Sequence, residues 1–221
     1  MRSSKYPEAA FLAAMTAGAT HEVRNVLAII KESAGLIQDL LQVSRHRSDM
    51  DEEKVQRAVD RIETQVKRGA DLLTNLNRLA HTLDQDRSTV DLGQEVEQLV
   101  FLSQRFARKK GHQVSAVTET EECPLNTDAL LLHMVLFAAM ECCLEELPEG
   151  SLLTVEVNRL GEDPGVVYRG TRADGHPPEC TEESACWETV RQLAAGLGAS
   201  AQRSEDGYGI RILFREWTQR A

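Results

Sequence analysis

Between residues 20 and 41, apolar or small side chains recur at Thr20, Val23, Leu27, Ile30, Ala34, Ile37 and Leu41, in alternating steps of three and four. That is the heptad rhythm of a helix packing along one stripe. The polar run Ser44–Asp49 interrupts it, and it resumes at Val55, Val59, Ile62, Val66, Gly69, Leu73, Leu76, Ala80 and Leu83. Asp49 or Asp51 suits the N-cap of the second segment, with Glu52 and Glu53 in its first turn; Asp84–Ser88 closes it. The pattern predicts two helices of roughly 35 residues, each about 50 Å long. The short connection folds them into an antiparallel hairpin. A lone hairpin cannot enclose its apolar seams, so a homodimeric four-helix bundle through residues 7–87 is expected. The alternative is a bundle with later helices of the same chain, but the remainder lacks two more long heptad segments.

Beyond residue 88 the periodicity changes. An amphipathic helix is predicted over Gln94–Lys109, after Val90-Asp91-Leu92-Gly93. Lys110–Val114 turns into a strand. Asp128 is placed to cap a helix over Ala129–Glu146. Pro148-Glu149-Gly150 is a turn, Ser151–Val157 alternates as a strand, and another strand lies near Val166–Tyr168. A helix around Trp187–Leu197 and a hairpin pairing Ser200–Arg203 with Gly209–Phe214 complete the order. Gly196-Leu197-Gly198 follows a helix, so it reads as a C-terminal stop and not as a phosphate loop. The expected fold class is α+β: a long antiparallel helical hairpin over residues 1–87 and a two-layer α/β sandwich over 88–221.

Composition narrows the partners. Of 221 residues, 42% are hydrophobic and 5% aromatic, which favours helix packing over a β-sandwich. The net charge of −10 makes nucleic acid and anionic lipid poor partners. No apolar run reaches the roughly 18 residues of a membrane span, and residues 1–7 carry no signal core, so a cytoplasmic protein is expected. Five cysteines (Cys123, Cys142, Cys143, Cys180 and Cys186) form no CxxC pair. Their odd count and spacing predict reduced, mostly buried thiols, with neither a disulfide framework nor a zinc site.

Wheel geometry puts His21 about 100° from Thr20, so it points to solvent partway along the first helix. Its neighbours, Thr20-His21-Glu22-Val23-Arg24-Asn25 with Phe11–Met15 upstream, resemble the phosphoacceptor box of histidine kinases. The family has Pro after the Asn where this chain has Val26, which removes a helix bend and leaves the chemistry. A neutral imidazole is a nucleophile toward phosphorus. A carboxylate beside it can hold the proton of one ring nitrogen and so expose the lone pair of the other. By resemblance Glu22 takes that role, and Asn25 helps to orient water in dephosphorylation. Arg24 is either a partner for phosphoryl oxygens or a solvated surface charge.

Residues 88–214 resemble the ATP-binding domain of the same family with its site erased. The resemblance puts Cys142 where the family presents a Mg²⁺-binding Asn, and Ala138 at an earlier Asn place. Mg²⁺ wants hard oxygen ligands, which Cys does not supply; Glu141 remains beside it. Around Gly170 no carboxylate stands in register for adenine. Ser184-Ala185-Cys186-Trp187 replaces the Gly-rich phosphate turn, and Trp187 obstructs a nucleotide. Pro177-Pro178 stiffens a short lid.

Together these features look like a phosphorelay histidine phosphotransferase derived from a kinase. The resemblance implies His21, Glu22 and Asn25 as the catalytic set, receiver domains of response regulators as partners, and no cofactor bound by this chain, the receiver bringing its own Mg²⁺. Met15, Gly18, Ala19 and Arg24 on the first helix and Leu72, Asn75, Leu76 and Leu79 on the second are the expected docking contacts. Two rivals stand beside this reading: an atypical or phosphatase-biased histidine kinase, and a non-catalytic dimeric scaffold or antikinase.

Overall fold

A computed structural model describes residues 7–44, 51–118, 122–160, 163–172, 185–204 and 209–214. Asp49, the lid with Pro177-Pro178, Cys180 and Ser184 lie outside the described residues. The chain divides into two compact units, Ala13–Arg78 and Leu79–Ala221 with Met1–Leu12.

The first unit lies within two long helices, α1 (Pro7–Ser44) and α2 (Glu52–Ala80). Asp51 caps α2, its carboxylate accepting the Lys54 N–H at 3.1 Å. The helices run antiparallel: Arg68 meets Glu22, and Arg61 reaches Glu32 at 3.9 Å. They approach closely where Gly69 faces Val26; a Cβ at Gly69 would stand 3.3 Å from the Val26 methyl. In this unit Met15, Gly18, Ala19, Glu22, Val26 and Ser33 on α1 and Ala58 and Leu72 on α2 are buried.

Part of the expected seam is uncovered in the single chain. Leu27 and Leu73 are 59% and 58% exposed, and Leu41 and Val66 are also exposed. Leu27 and Leu73 each directly follow a buried residue, Val26 and Leu72. In antiparallel helices that shared offset turns both outward stripes toward the same side of the hairpin.

The second unit is an α+β sandwich. Its five-stranded sheet has the order β2 (Gln113–Thr118), β4 (Leu152–Leu160), β5 (Asp163–Thr171), β7 (Gly209–Phe214), β6 (Ala199–Arg203). Only β2 and β4 are parallel; the remaining pairs are antiparallel. The helices α3 (Leu92–Lys109), α4 (Ala129–Glu146) and α5 (Ala185–Gly196) pack against the sheet and one another. A separate pair of four-residue strands, β1 (Ser88–Asp91) and β3 (Pro124–Thr127), was not expected from the sequence. Asp91 ties it down, capping α3 through Gln94 N–H and accepting Cys123 N–H, both at 2.8 Å. Asp128 caps α4 as expected, accepting Leu131 N–H at 2.9 Å.

The core is centred on α4, whose apolar residues are buried nearly all round, as expected of a central helix. Phe137 meets Phe11 and Phe106, and Tyr168 donates its hydroxyl to the Leu136 carbonyl at 2.8 Å. Burial pushes the Tyr168 phenol well above its usual range. Between α3 and α4 lies a buried polar pair: His133 Nε2 is 3.1 Å from Glu95 Oε2, and its Nδ1 is 2.9 Å from the Ala129 carbonyl. The α5 helix stops at Gly196, and Gly198 takes the left-handed conformation (φ 75°) that opens β6. Among the described residues no helix is long and apolar enough to cross a membrane.

Candidate functional site

His21 lies in the middle of a regular helical stretch of α1 and is half-buried, not fully exposed as expected. Glu22, the next residue, turns into the hairpin interior and is buried. Its Oε2 accepts the Arg68 guanidinium from α2 at 2.6 Å, while Oε1 lies 3.5 Å from the Asn25 amide nitrogen. A buried carboxylate carries a desolvation cost that an ionic hydrogen bond offsets. Arg68 therefore fixes the direction of the Glu22 side chain. His21 and Asn25 lie on the side of Glu22 opposite to Leu27, because one residue back and one residue on rotate in opposite senses. The exposed apolar stripe and the imidazole thus occupy different flanks of the hairpin.

Arg68 was missed by sequence reading. It precedes Gly69 in the heptad pattern and looks like any charged residue on a helix flank. Of the expected docking set, Met15, Gly18, Ala19, Leu72 and Leu79 are buried in the single chain. Arg24 is exposed, and Asn75 and Leu76 are half-buried.

In the second unit, the positions that the resemblance assigns to nucleotide lie on α4, β5 and α5. Ala138 and Cys142 are buried on α4, Gly170 is buried in β5, and Trp187 is buried in the first turn of α5. Contrary to the expectation of reduced thiols, Cys142 and Cys186 form a disulfide, with Cα atoms 5.3 Å apart. Cys123 and Cys143 are buried and take no part in this disulfide. Glu146 sits beside the bond and takes Arg203 of β6 in a two-pronged ion pair at 2.6 and 2.8 Å. The same guanidinium stacks over the Trp187 ring, 5.0 Å from its centre. Half-buried Glu141 stands next to Cys142, and burial pushes its carboxyl up.

One grouping there has metal-ligand chemistry. The ligand atoms of Cys142, Glu146 and Cys186 lie within 4.8 Å of one another. The sulfurs are bonded to each other and Glu146 is engaged by Arg203, so this set does not fit Mg²⁺, which needs several free oxygen donors.

No family model and no curated protein sequence matches the chain. Among solved structures it is similar to one described as a bacterial phosphotransferase, at 13% identity, covering 96% of this chain and 98% of that one, with a TM-score of 0.47. The Acinetobacter baumannii histidine kinase AdeS is similar at 15% identity, covering 83% and 95%, with a TM-score of 0.47. The cytoplasmic segment of histidine kinase QseC is similar at 18% identity, covering 68% and 94%, with a TM-score of 0.45.

Proposed function

We propose that the chain is a histidine phosphotransferase of a two-component phosphorelay, working as a homodimer and passing phosphoryl groups between receiver aspartates through His21 without binding ATP. The observation that carries this reading is the His21 neighbourhood: an accessible imidazole next to a buried carboxylate that a cross-helix arginine holds in place. In the forward step a ring nitrogen of His21 attacks the phosphorus of a receiver's aspartyl phosphate. The P–N bond forms as the aspartyl O–P bond breaks, and the receiver carboxylate leaves. Glu22, fixed by Arg68, balances the positive charge that builds on the ring. The step reverses onto a second receiver. Mg²⁺ belongs to the receiver, and this chain's task is positioning and charge stabilisation.

The exposed stripe of Leu27, Leu41, Val66 and Leu73 supports dimerisation of the hairpin, which would leave the His21 flank open. The crosslinked, ion-paired filling around Cys142, Cys186 and Trp187 favours transfer without ATP over an atypical kinase. The test is incubation with a panel of phosphorylated receivers, mapping acid-labile phosphate on the chain. Wild type is expected to take label at His21 and His21→Ala to take none. Labelling of His21 by ATP with no partner present would favour the kinase. Equal behaviour of wild type and His21→Ala would favour a scaffold.

A further inference from the structure

The Cys142–Cys186 pair has chemistry that phosphoryl transfer does not use. Cys142 is buried near the C-terminal end of α4, whereas Cys186 is half-buried in the first turn of α5. The bond joins two helices across 44 residues of chain. A carboxylate oxygen, Glu146 Oε1, lies 3.7 Å from the Cys142 sulfur and 4.0 Å from the Cys186 sulfur. Arg203 holds that carboxylate in place from β6. Cys186, a half-buried residue, lies in the first turn of α5, where backbone dipoles favour an anion, and buried Cys142 is bonded to it. That is an attacking thiol with its resolving partner.

We propose that Cys142 and Cys186 are a reversible oxidation site whose disulfide locks α5 onto α4, with a hydroperoxide as oxidant. The Cys186 thiolate attacks one peroxide oxygen; the O–O bond breaks, releasing water and leaving a sulfenic acid. The Cys142 sulfur then attacks the sulfenic sulfur, its proton passes by way of Glu146, and the S–O bond breaks to release a second water. Two thiols and hydrogen peroxide thus give one disulfide and two waters. A dithiol returns the two electrons and two protons by exchange. The proposal stands whether or not His21 carries phosphoryl groups.

The test starts from full-length protein reduced with a dithiol and freed of it. It is treated with hydrogen peroxide, alkylated and mapped by mass spectrometry. Cys142 and Cys186 are expected to lose alkylation together and to appear as one crosslinked peptide pair, and a dithiol is expected to restore both. Closing a loop of this length predicts a melting temperature roughly 10 °C higher for the oxidised protein. Cys186→Ser is expected to abolish that peroxide-dependent shift. Trp187 fluorescence in a Trp217→Phe background should report the same cycle, because the ring lies next to Cys186. The proposal is overturned if peroxide leaves both thiols alkylatable, if a dithiol cannot reopen the bond in folded protein, or if reduced protein retains stoichiometric zinc that blocks crosslinking.

Discussion

Arg68 on α2 donates to the carboxylate of Glu22 on α1 at 2.6 Å, with the Glu22 side chain 9% exposed and that of Arg68 40% exposed. This asymmetry decides what each substitution does. Arg68→Met leaves the carboxylate buried without its cross-helix cation and is expected to cost about 1–3 kcal/mol of stability. Glu22→Gln keeps the shape and removes the charge, so its stability cost should be smaller. Both should slow transfer to His21, Glu22→Gln by on the order of 10²-fold, the lower end for a positioned acid–base group. Denaturant midpoints and rapid-quench transfer rates on the two single variants and the double variant check this. A double variant showing the full sum of both rate losses would argue that the residues act separately.

The buried His133–Glu95 pair is the second test. Removing one member of a buried polar pair leaves its partner without that contact, at a cost of about 1–3 kcal/mol, whereas replacing both with apolar residues is often near neutral. His133→Leu is therefore expected to destabilise the second unit by about 1–3 kcal/mol. Adding Glu95→Met should recover much of that loss. Urea unfolding of the three variants measures it, and additive losses would show that the two side chains are not coupled.

The heptad rhythm of both helices was legible because it repeats over many turns, and the caps at Asp51 and Asp128 follow from short side chains that can bond N–H groups at a helix start, whereas the Asp91 cap was not foreseen. The facing of the stripe was not legible. Periodicity puts Leu27, Val66 and Leu73 on the seam, and the single hairpin leaves them uncovered while burying Glu22 and Ser33. The Glu22 carboxylate is met in the interior by Arg68, 46 positions away. The strands β1 and β3 escaped notice because four residues carry too little alternation to distinguish. The Cys142–Cys186 bond was hidden for a similar reason: connectivity between cysteines 44 residues apart is not encoded in their spacing.

Charge on the outward stripe should report on assembly. Leu27→Glu and Leu73→Glu place carboxylates at positions more than half exposed in a single hairpin, so each hairpin should still fold, with stability within about 0.5 kcal/mol. In a bundle of two hairpins the same carboxylates would be buried without partners. The expected outcome in sedimentation velocity is a dimer for wild type and a monomer for the double variant. A wild-type monomer across the micromolar range would remove the dimer from the proposal and leave the His21 chemistry to be tested alone.

The last prediction concerns pH. His112 follows the turn after α3 and is buried, and burial pushes its pKa below the ordinary 6.5, although a backbone hydrogen bond with Leu144 works in the opposite direction. In the unfolded chain this ring takes up a proton as pH falls through 6.5, while in the folded chain it resists until lower pH. Between those two values the unfolded state binds more protons, so stability must decline as pH drops. Above 6.5 the ring is neutral in both states and contributes no slope. His112→Gln should leave stability at pH 8 changed only by its packing cost and should flatten the decline just below pH 6.5. Urea midpoints of both proteins at half-unit pH steps test this, and an unchanged slope in the variant would assign the acid sensitivity to another group.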